Sequence, residues 1–277
     1  MDKTASIGVF DSGIGGLTVV KSIKEALPGE NIIYFGDTAH VPYGTRSREQ
    51  ITEYVLADVE FLSRFNLKAI VIACNTADSI AKDKVIEKYP DIPVFGVVEP
   101  AAKRAAEFEK IGIIATNATV SSGAYERTIA AYNPLARVIS VPCPLLVPLV
   151  ENNRYKKDDR VIETVLREYL EELKKEKVEC LVLGCTHYPL LRDIIEDIMP
   201  GVEIISSSDE AARALKAGLE RMNLENDNEK GVSRYFVSDT VEGFVKSART
   251  FLGGVIDGEV KRFTDSVSEK GKEVTKC

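Results

Sequence analysis

Two cysteines in similar surroundings are the first candidates for chemistry. Cys74 follows the apolar run 70–73, Cys185 follows the apolar run 181–184, and a threonine comes within two residues of each. A thiol has a reference pKa of about 8.5, and a helix N-terminus lowers it, so such a group can serve as an acid or a base. Two thiols on opposite faces of one carbon could remove a proton from one side and return it to the other. The pair therefore predicts inversion of a stereocentre.

Other interpretations of these cysteines stay open at this point. Each cysteine alone is compatible with a small buried core residue, which is the common fate of this residue type. A cysteine hydrolase could use Cys185 as nucleophile and His187 as base, but it would form a covalent acyl intermediate and leaves Cys74 without a role. A non-catalytic amino-acid sensor or an interaction protein could keep the same cleft, and tight glutamate binding without turnover would reveal it.

Polar clusters occur at four places where an apolar run gives way to a helix candidate. They are residues 11–13 (DSG), 74–76 (CNT), 116–119 (TNAT) and 185–187 (CTH). In open α/β sheets, ligands bind beyond the carboxyl ends of the strands, and helix N-termini there favour anions such as carboxylates. The glycine-rich stretch 13–16 lacks the G-x-G-x-x-G order, because Thr18 stands where the last glycine belongs, so no nucleotide loop is predicted.

The elements that must position these clusters alternate regularly along the chain. The strand candidates are 6–10, 31–35, 69–73, 93–98, 111–115, 137–141, 180–184, 202–206 and 234–238. The helix candidates are 16–27, 47–65, 78–89, 100–108, 120–132, 158–176, 189–198, 209–221 and 240–252. The strands are rich in Val and Ile and apolar on both faces, as expected when helices cover both sides of a parallel sheet. The alternation predicts a doubly wound α/β fold.

Two short segments of the chain are each similar to a later segment. The run 7–10 (IGVF) is similar to 111–114 (IGII), and 70–74 (IVIAC) is similar to 181–185 (LVLGC), so order and approximate spacing are both kept. We interpret this as two structurally similar halves. If the halves face each other, one cleft receives a thiol from each wall.

Bulk properties narrow the class of protein. The 277 residues carry a net charge of −7, which argues against broad nucleic-acid binding. Neither a signal peptide nor a membrane span is visible, so we expect a cytoplasmic protein whose five cysteines are reduced thiols. Only two histidines are present, which argues against a typical zinc site. Residues 223–233 are expected to form a surface loop, and the charged stretch from Thr264 to Cys277 a frayed tail.

Several segments together resemble the glutamate racemase family of the Asp/Glu racemase superfamily. The matching stretches are IGVFDSGIGG (7–16), YFGDTAHVPYG (34–44), IACNTA (72–77), VVEPA (97–101), ATNATVSSGAY (115–125) and LGCTHYPLL (183–191). They cover most of the chain in family order, and the resemblance weakens only over the loop near 225 and the tail. The alternative within the superfamily is an aspartate racemase or a related two-cysteine enzyme. An assay of both amino acids would separate glutamate racemase from aspartate racemase.

The resemblance implies an activity and the residues that carry it. It implies interconversion of L- and D-glutamate, supplying D-glutamate for peptidoglycan and hence for the cell wall and cell shape, without pyridoxal phosphate, metal or any other cofactor. It also suggests a homodimer. By that likeness Cys74 is the base toward D-glutamate and Cys185 the base toward L-glutamate. Asp11 would assist Cys74, and His187 would assist Cys185, with Glu151 beside it.

The resemblance also implies substrate-binding residues and a domain plan. The residues expected to hold the substrate are Asp11, Ser12, Tyr43, Gly44, Asn75, Thr76, Thr116, Thr119, Thr186 and His187. The implied fold has two similar doubly wound domains with parallel sheets, related by pseudo-twofold symmetry, with the active site in the cleft between them. The first domain would comprise residues 1–98 and 209–277, to which the chain returns, and the second residues 99–208.

Overall fold

The computed structural model describes residues 2–263, which form two parallel β-sheets with helices packed around them. The strands are β1 (Ser6–Asp11), β2 (Ile32–Gly36), β3 (Leu67–Ile72), β4 (Val94–Gly96), β5 (Lys110–Ala115), β6 (Arg137–Pro142), β7 (Cys180–Gly184), β8 (Glu203–Ser206), β9 (Ser233–Val237) and β10 (Gly258–Arg262). The helices are α1 (Leu17–Ala26), α2 (Arg48–Leu62), α3 (Asn75–Lys88), α4 (Val98–Ala105), α5 (Asn117–Ser122), α6 (Ala124–Tyr132), α7 (Leu146–Glu151), α8 (Arg160–Glu176), α9 (Arg192–Ile198), α10 (Ser207–Met222) and α11 (Val241–Leu252). Short 3-10 helices cover Tyr43–Thr45 and Tyr188–Leu191.

The two sheets repeat one strand order. The first sheet runs β10-β9-β2-β1-β3-β4, and the second runs β6-β5-β7-β8. The strands of both sheets pair in parallel, for example Val9 with Val71 in the first and Ile113 with Val182 in the second. The order β2-β1-β3-β4 corresponds strand by strand to β6-β5-β7-β8. This confirms the predicted fold of two similar parallel-sheet halves, and it makes Cys74 and Cys185 equivalent positions after β3 and β7.

Helix α8 shows how local sequence builds these layers. Its N-cap, Asp159, accepts a hydrogen bond from the backbone N–H of Val161, and such a cap satisfies a donor that has no partner within the helix. The buried side chains follow helical spacing on one face: Ile162, Leu166, Leu170 and Leu173. The helix ends where Lys177 takes a left-handed conformation at φ 56°. This apolar stripe therefore packs α8 against the second sheet, and the charged residues of the helix face water.

The chain crosses between the sheets twice. It passes from β4 through α4 into the second sheet, and from β8 through α10 back to β9. The two crossing helices pack against each other. Strand β9 pairs with β2, and β10 pairs with β9, so the last described strands extend the first sheet. The residue boundaries given above for the two domains stay a prediction.

Some element boundaries differ from the sequence expectation. The strand expected over 93–98 ends at Gly96, because Val98 begins α4. The helix expected from residue 78 begins at Asn75, directly after Cys74. Gly123, with φ 64°, divides the expected helix 120–132 into α5 and α6.

Among the α-helices and β-strands of residues 2–263, two were not predicted from the sequence. They are α7, a six-residue helix that contains Pro148, and β10, an exposed edge strand rich in charged residues. Neither shows a periodic apolar pattern. No helix among the described residues is long and apolar enough to cross a membrane. The tail expected from Thr264 onward lies outside the described residues.

Candidate active site

A cavity of about 310 Å³ opens between the two halves, at the carboxyl ends of the central strands. Cys74 and Cys185 both line it. Of the residues expected at the site, those that line the cavity are Ser12, Tyr43, Gly44, Cys74, Asn75, Thr76, Thr116, Glu151, Cys185, Thr186 and His187. Asp11 and Thr119 are buried behind this lining. Cys143, which was not expected at the site, also contributes to the wall.

The Cys74 thiol lies at the start of α3. Its Sγ is 3.4 Å from the hydroxyl of Ser12, and the residue is only 7% exposed. Burial raises the pKa of Cys74 to about 12, with a further contribution from the buried carboxylate of Asp11. Hydrogen bonds from Ser12 and from the backbone of Ala77 in the first turn of α3 oppose this rise. The expected lowering of the Cys74 pKa by the helix N-terminus is therefore wrong, because burial outweighs it.

The Cys185 thiol faces a histidine instead of a carboxylate. The Nδ1 of His187 is 3.8 Å from the Sγ of Cys185, and its Nε2 is 2.9 Å from an oxygen of Glu151. Burial disfavours the imidazolium, but the hydrogen bonds to Cys185 and Glu151 outweigh it and raise the pKa of His187 to about 10. At neutral pH this histidine is protonated and can donate to both partners.

Asp11 lies beneath the cavity between the two thiol sites. It accepts a hydrogen bond from the N–H of Gly13 at 2.9 Å, and the hydroxyl of Thr186 donates to it at 3.4 Å. Burial raises the pKa of Asp11, and the nearby His187 opposes the rise. The carboxylate thus contacts the loop after β1 and the loop after β7, which belong to different halves.

Three threonine hydroxyls join the halves on another side of the cavity. Thr76 lies 2.9 Å from Thr116 and 3.2 Å from Thr119, and the last two are 3.0 Å apart. Nearby, a Cβ added to Gly44 would lie 3.0 Å from the Cβ of Thr116, so the two walls approach closely here. This hydroxyl cluster offers donors and acceptors to a polar ligand at the edge of the cavity.

The hydroxyl of Tyr43 contacts two buried carboxyl groups. It lies 2.6 Å from Asp37 and 3.0 Å from Asp58. One hydroxyl hydrogen can serve only one of these acceptors. Burial raises the pKa of Asp58 well above its usual range, so a protonated Asp58 can donate to the phenol oxygen. The Tyr43 hydroxyl is therefore already engaged in fixing the loop that forms one wall.

Sequence reasoning missed several residues that tie the two cysteine loops together from behind. The Ser207 hydroxyl donates to the carbonyl of Leu183 at 2.9 Å and accepts from the amide of Asn75 at 3.2 Å. The Tyr125 hydroxyl donates to the other end of the same amide at 2.7 Å. Ser207 and Ser208 directly follow β8, at a strand end like the four recognised clusters, so the strand candidate 202–206 points to them by the same rule.

A second hydroxyl chain fixes the backbone after Cys185. The Thr18 hydroxyl donates to the carbonyl of Thr186 at 2.9 Å and lies 2.9 Å from the hydroxyl of Ser208. A Cβ added to Gly15 would lie 2.3 Å from the hydroxyl of Thr186, so the turn after β1 approaches this loop closely. Within residues 2–263, no group of three or more His, Cys, Asp or Glu is arranged to hold a metal ion.

Comparison with known proteins identifies relatives over nearly the whole chain. The profile of the Asp/Glu/hydantoin racemase family matches residues 7–215. The glutamate racemase of Geobacter metallireducens is 45% identical over 254 residues, which are 90% of this chain and 93% of that protein. The crystal structure of glutamate racemase from Francisella tularensis in complex with D-glutamate superposes with a TM-score of 0.89 at 38% identity, covering 96% of this chain and all of that one. The Thermus thermophilus glutamate racemase in complex with β-chloro-D-alanine gives a TM-score of 0.87 at 43% identity, covering 96% and 99%.

Proposed function

This chain belongs to the glutamate racemase family of the Asp/Glu/hydantoin racemases. We propose that it interconverts L- and D-glutamate through Cys74 and Cys185 without a cofactor. The observation that carries the mechanism is the pair of thiols lining one cavity from equivalent strand ends of the two halves. A cysteine hydrolase would leave one of the two thiols without a role. Aspartate racemase is not favoured, because relatives at 45–46% identity are glutamate racemases.

The proposed reaction consists of two proton transfers. On L-glutamate, the Cys185 sulfur takes the α-proton, and the Cys74 thiol gives its own proton to the opposite face of the planar carbon. The high pKa of Cys74 supports its role as the acid in this direction, since the group holds its proton at neutral pH. The hydrogen bond between protonated His187 and the sulfur supports Cys185 as the acceptor. The D-to-L direction uses the same groups in reversed roles.

Substrate recognition in this proposal uses the polar edges of the cavity. Glutamate carries two carboxylates and one ammonium, so it needs donors at two points and acceptors at a third. The hydroxyls of Ser12, Thr76, Thr116 and Thr186 and the N-terminus of α3 are the donors we propose. Thr119 would orient Thr76 and Thr116, Gly44 would admit the ligand closely, and the carboxylate of Glu151 would act through His187.

The biological setting follows the family and is also part of the proposal. We propose that the enzyme works in the cytoplasm as a homodimer and supplies D-glutamate for peptidoglycan, and so for the bacterial cell wall and cell shape. Its partner in the reaction is glutamate alone, with neither nucleic acid nor membrane involved.

The test of the activity is circular dichroism of L-glutamate incubated with protein that has been stripped of metals and cofactors. We expect the signal to decay to zero, the racemic end point, and to do so equally in chelator, while L-aspartate is left unchanged. Activity that is lost on dialysis and restored by pyridoxal phosphate or zinc would overturn the two-thiol mechanism. Tight glutamate binding without turnover would instead indicate a sensor.

Hydrogen exchange in D₂O tests which cysteine faces which enantiomer. The enantiomers have equal free energy, so forward and reverse kcat/KM are equal in every variant and cannot separate the faces. Cys74→Ser keeps Cys185, so it should exchange the α-proton of L-glutamate faster than it racemises, with little exchange of D-glutamate. Cys185→Ser should show the mirror preference. A Cys74→Ser variant that preferred D-glutamate would reverse the assignment.

A further inference from the structure

The imidazole of His187 contacts a side chain from the far end of the described chain. Phe251, in the last turn of α11, has its ring centroid 5.2 Å from that of His187, with the ring planes at 83°. Perpendicular packing at this distance is a favourable aromatic geometry. Phe251 is 3% exposed and His187 is 6% exposed, so the contact is buried. Helix α11 packs on α1, beside the first sheet, whereas His187 follows β7 of the second sheet.

The residue next to Phe251 contacts the chain segment that carries the other partner of His187. The hydroxyl of Thr250 is 3.5 Å from that of Tyr155, which lies shortly after Glu151 at the end of α7. Two adjacent residues of α11 therefore contact the surroundings of His187. Phe251 contacts the imidazole, and Thr250 contacts the segment that follows Glu151.

His187 makes two hydrogen bonds only while its ring keeps one orientation. Nδ1 must face the sulfur of Cys185, at 3.8 Å, while Nε2 faces Glu151, at 2.9 Å. The Glu151 side chain is 37% exposed, so it is not held rigidly by burial. A Cβ on Gly15 would lie 2.5 Å from Nδ1, which shows how little room surrounds this edge of the ring.

We propose that Phe251 is a positioning residue for racemisation, whose ring holds the imidazole of His187 in the plane that serves Cys185 and Glu151 together. This proposal rests on the proposed function, because it assumes that His187 assists Cys185. The charged and titratable groups around His187 are Cys185, Glu151 and the buried Asp11. Phe251 adds no charge, so its effect comes through geometry and the exclusion of water.

The consequence can be measured on the histidine itself. The hydrogen bonds to Cys185 and Glu151 raise the pKa of His187 to about 10, against an ordinary value near 6.5. A ring that is free to turn loses part of these bonds. The titration of His187 should then move toward lower pH, and the alkaline limit of activity should move with it.

The experiment uses histidine-labelled protein and NMR titration of the imidazole signals. The chain has only His40 and His187, so the spectrum holds two sets of signals, which a His40→Gln variant assigns. In Phe251→Leu we expect the midpoint of His187 to fall by about one pH unit or more, and kcat to fall about tenfold, part of the 10²–10⁴-fold typical of acid–base catalysis. KM should change less than kcat, because the substrate-binding hydroxyls are untouched.

Phe244→Leu is the matched control. Phe244 lies on the same helix and is 2% exposed, but its ring packs on those of Tyr34 and Tyr235. The ring centroids are 6.0 and 6.4 Å apart, respectively. This variant should weaken the packing of α11 and leave the titration of His187 unchanged. Should Phe251→Leu fail to fold, Phe251→Met removes the ring while keeping a large apolar side chain.

The outcomes separate this inference from the proposed function. A folded Phe251 variant with unaltered His187 titration and unaltered kcat would overturn the positioning role. Equal shifts in the Phe251 and Phe244 variants would also overturn it, since general loosening of α11 would then be the cause. Absence of racemisation by the wild-type protein would overturn the proposed function, and the NMR titration would still report the contact.

Discussion

The two thiols occupy equivalent backbone positions, but their neighbours make them chemically unequal. Cys74 has the Ser12 hydroxyl at 3.4 Å and the buried Asp11 carboxylate nearby, and its pKa rises to about 12. Cys185 has the protonated imidazole of His187 at 3.8 Å. In the proposed racemisation one thiol donates a proton while the other accepts one, and the difference between their surroundings supports that division of roles.

Alkylation of the ligand-free protein by iodoacetamide tests the state of Cys74. Only the thiolate reacts, so its labelling rate should rise about tenfold per pH unit from pH 7 to 10 without levelling off. Peptide mapping by mass spectrometry measures the rate at each cysteine, and glutamate should slow it at Cys74. Cys180, buried in β7 away from the cavity, is the internal control whose labelling glutamate should not alter. A Cys74 rate that levelled off between pH 7 and 9 would contradict the raised pKa.

Helix α3 is tied to the first crossing between the sheets by a buried carboxylate in its first turn. Asp78 accepts hydrogen bonds from the N–H groups of Val97 and Val98, at 2.8 and 2.7 Å, which caps the start of α4. A Cβ on Gly96 would lie 2.0 Å from the other oxygen of Asp78, so this contact requires glycine. Burial raises the pKa of Asp78 to about 6, although the nearby Lys82 opposes the rise.

The raised pKa of Asp78 predicts the direction in which stability changes with pH. Between pH 4 and 6 the folded protein binds a proton at Asp78 that the unfolded chain does not, so this group's contribution to the free energy of unfolding falls as pH rises. A pKa of about 6 against 3.8 corresponds to about 3 kcal/mol. Relative to Asp78→Asn, the wild type should therefore lose up to that amount between pH 4 and 6.5 in chemical denaturation.

Asp83→Asn, which changes an exposed carboxylate of the same helix, is the control for Asp78. Its stability should follow that of the wild type across this range. Parallel stability curves for Asp78→Asn and the wild type would show that Asp78 does not titrate near pH 6.

A fully buried ion pair links distant segments of the chain where it returns to the first sheet. The Lys68 ammonium lies 2.5 Å from Glu30, and the two side chains are 0% and 1% exposed. Lys68 also donates to the carbonyls of Lys3 and Leu224, and Glu30 accepts from the N–H of Asn226. The pair thus connects the N-terminal segment, the strands β2 and β3 and the loop that precedes β9.

Breaking this pair from one side should be costly. Lys68→Met leaves the Glu30 carboxylate buried without its partner, and we expect a loss of roughly 3–5 kcal/mol in the free energy of unfolding. The double variant Lys68→Met with Glu30→Met should recover much of that loss. Urea denaturation measures each value. Lys88→Met, which breaks the exposed pair with Glu60, should cost at most about 1 kcal/mol, and an equal effect at Lys68 would contradict the structural role.

The strand and helix alternation, the two similar halves and the cysteine pair can all be predicted from the amino-acid sequence. These follow from local patterns, because a buried parallel strand is recognisable from its own apolar run and a ligand-facing cluster from its place directly after such a run. Cys74 and Cys185 were identifiable for that reason. Helix α7 is a short apolar run interrupted by Pro148, and β10 is exposed and charged, so neither matches the pattern of a longer helix or of a buried strand.

The contacts that support the site and the ionisation of its groups depend on the folded chain. The ring of Phe251 meets His187, and the hydroxyl of Ser207 meets Asn75, because the chain crosses between the sheets twice and returns distant segments to one place. The pKa of Cys74 rises because burial depends on every neighbour in space, whereas the helix N-terminus is a local feature. Neighbours in space that lie far apart in sequence leave no local pattern, so the folded chain alone reveals them.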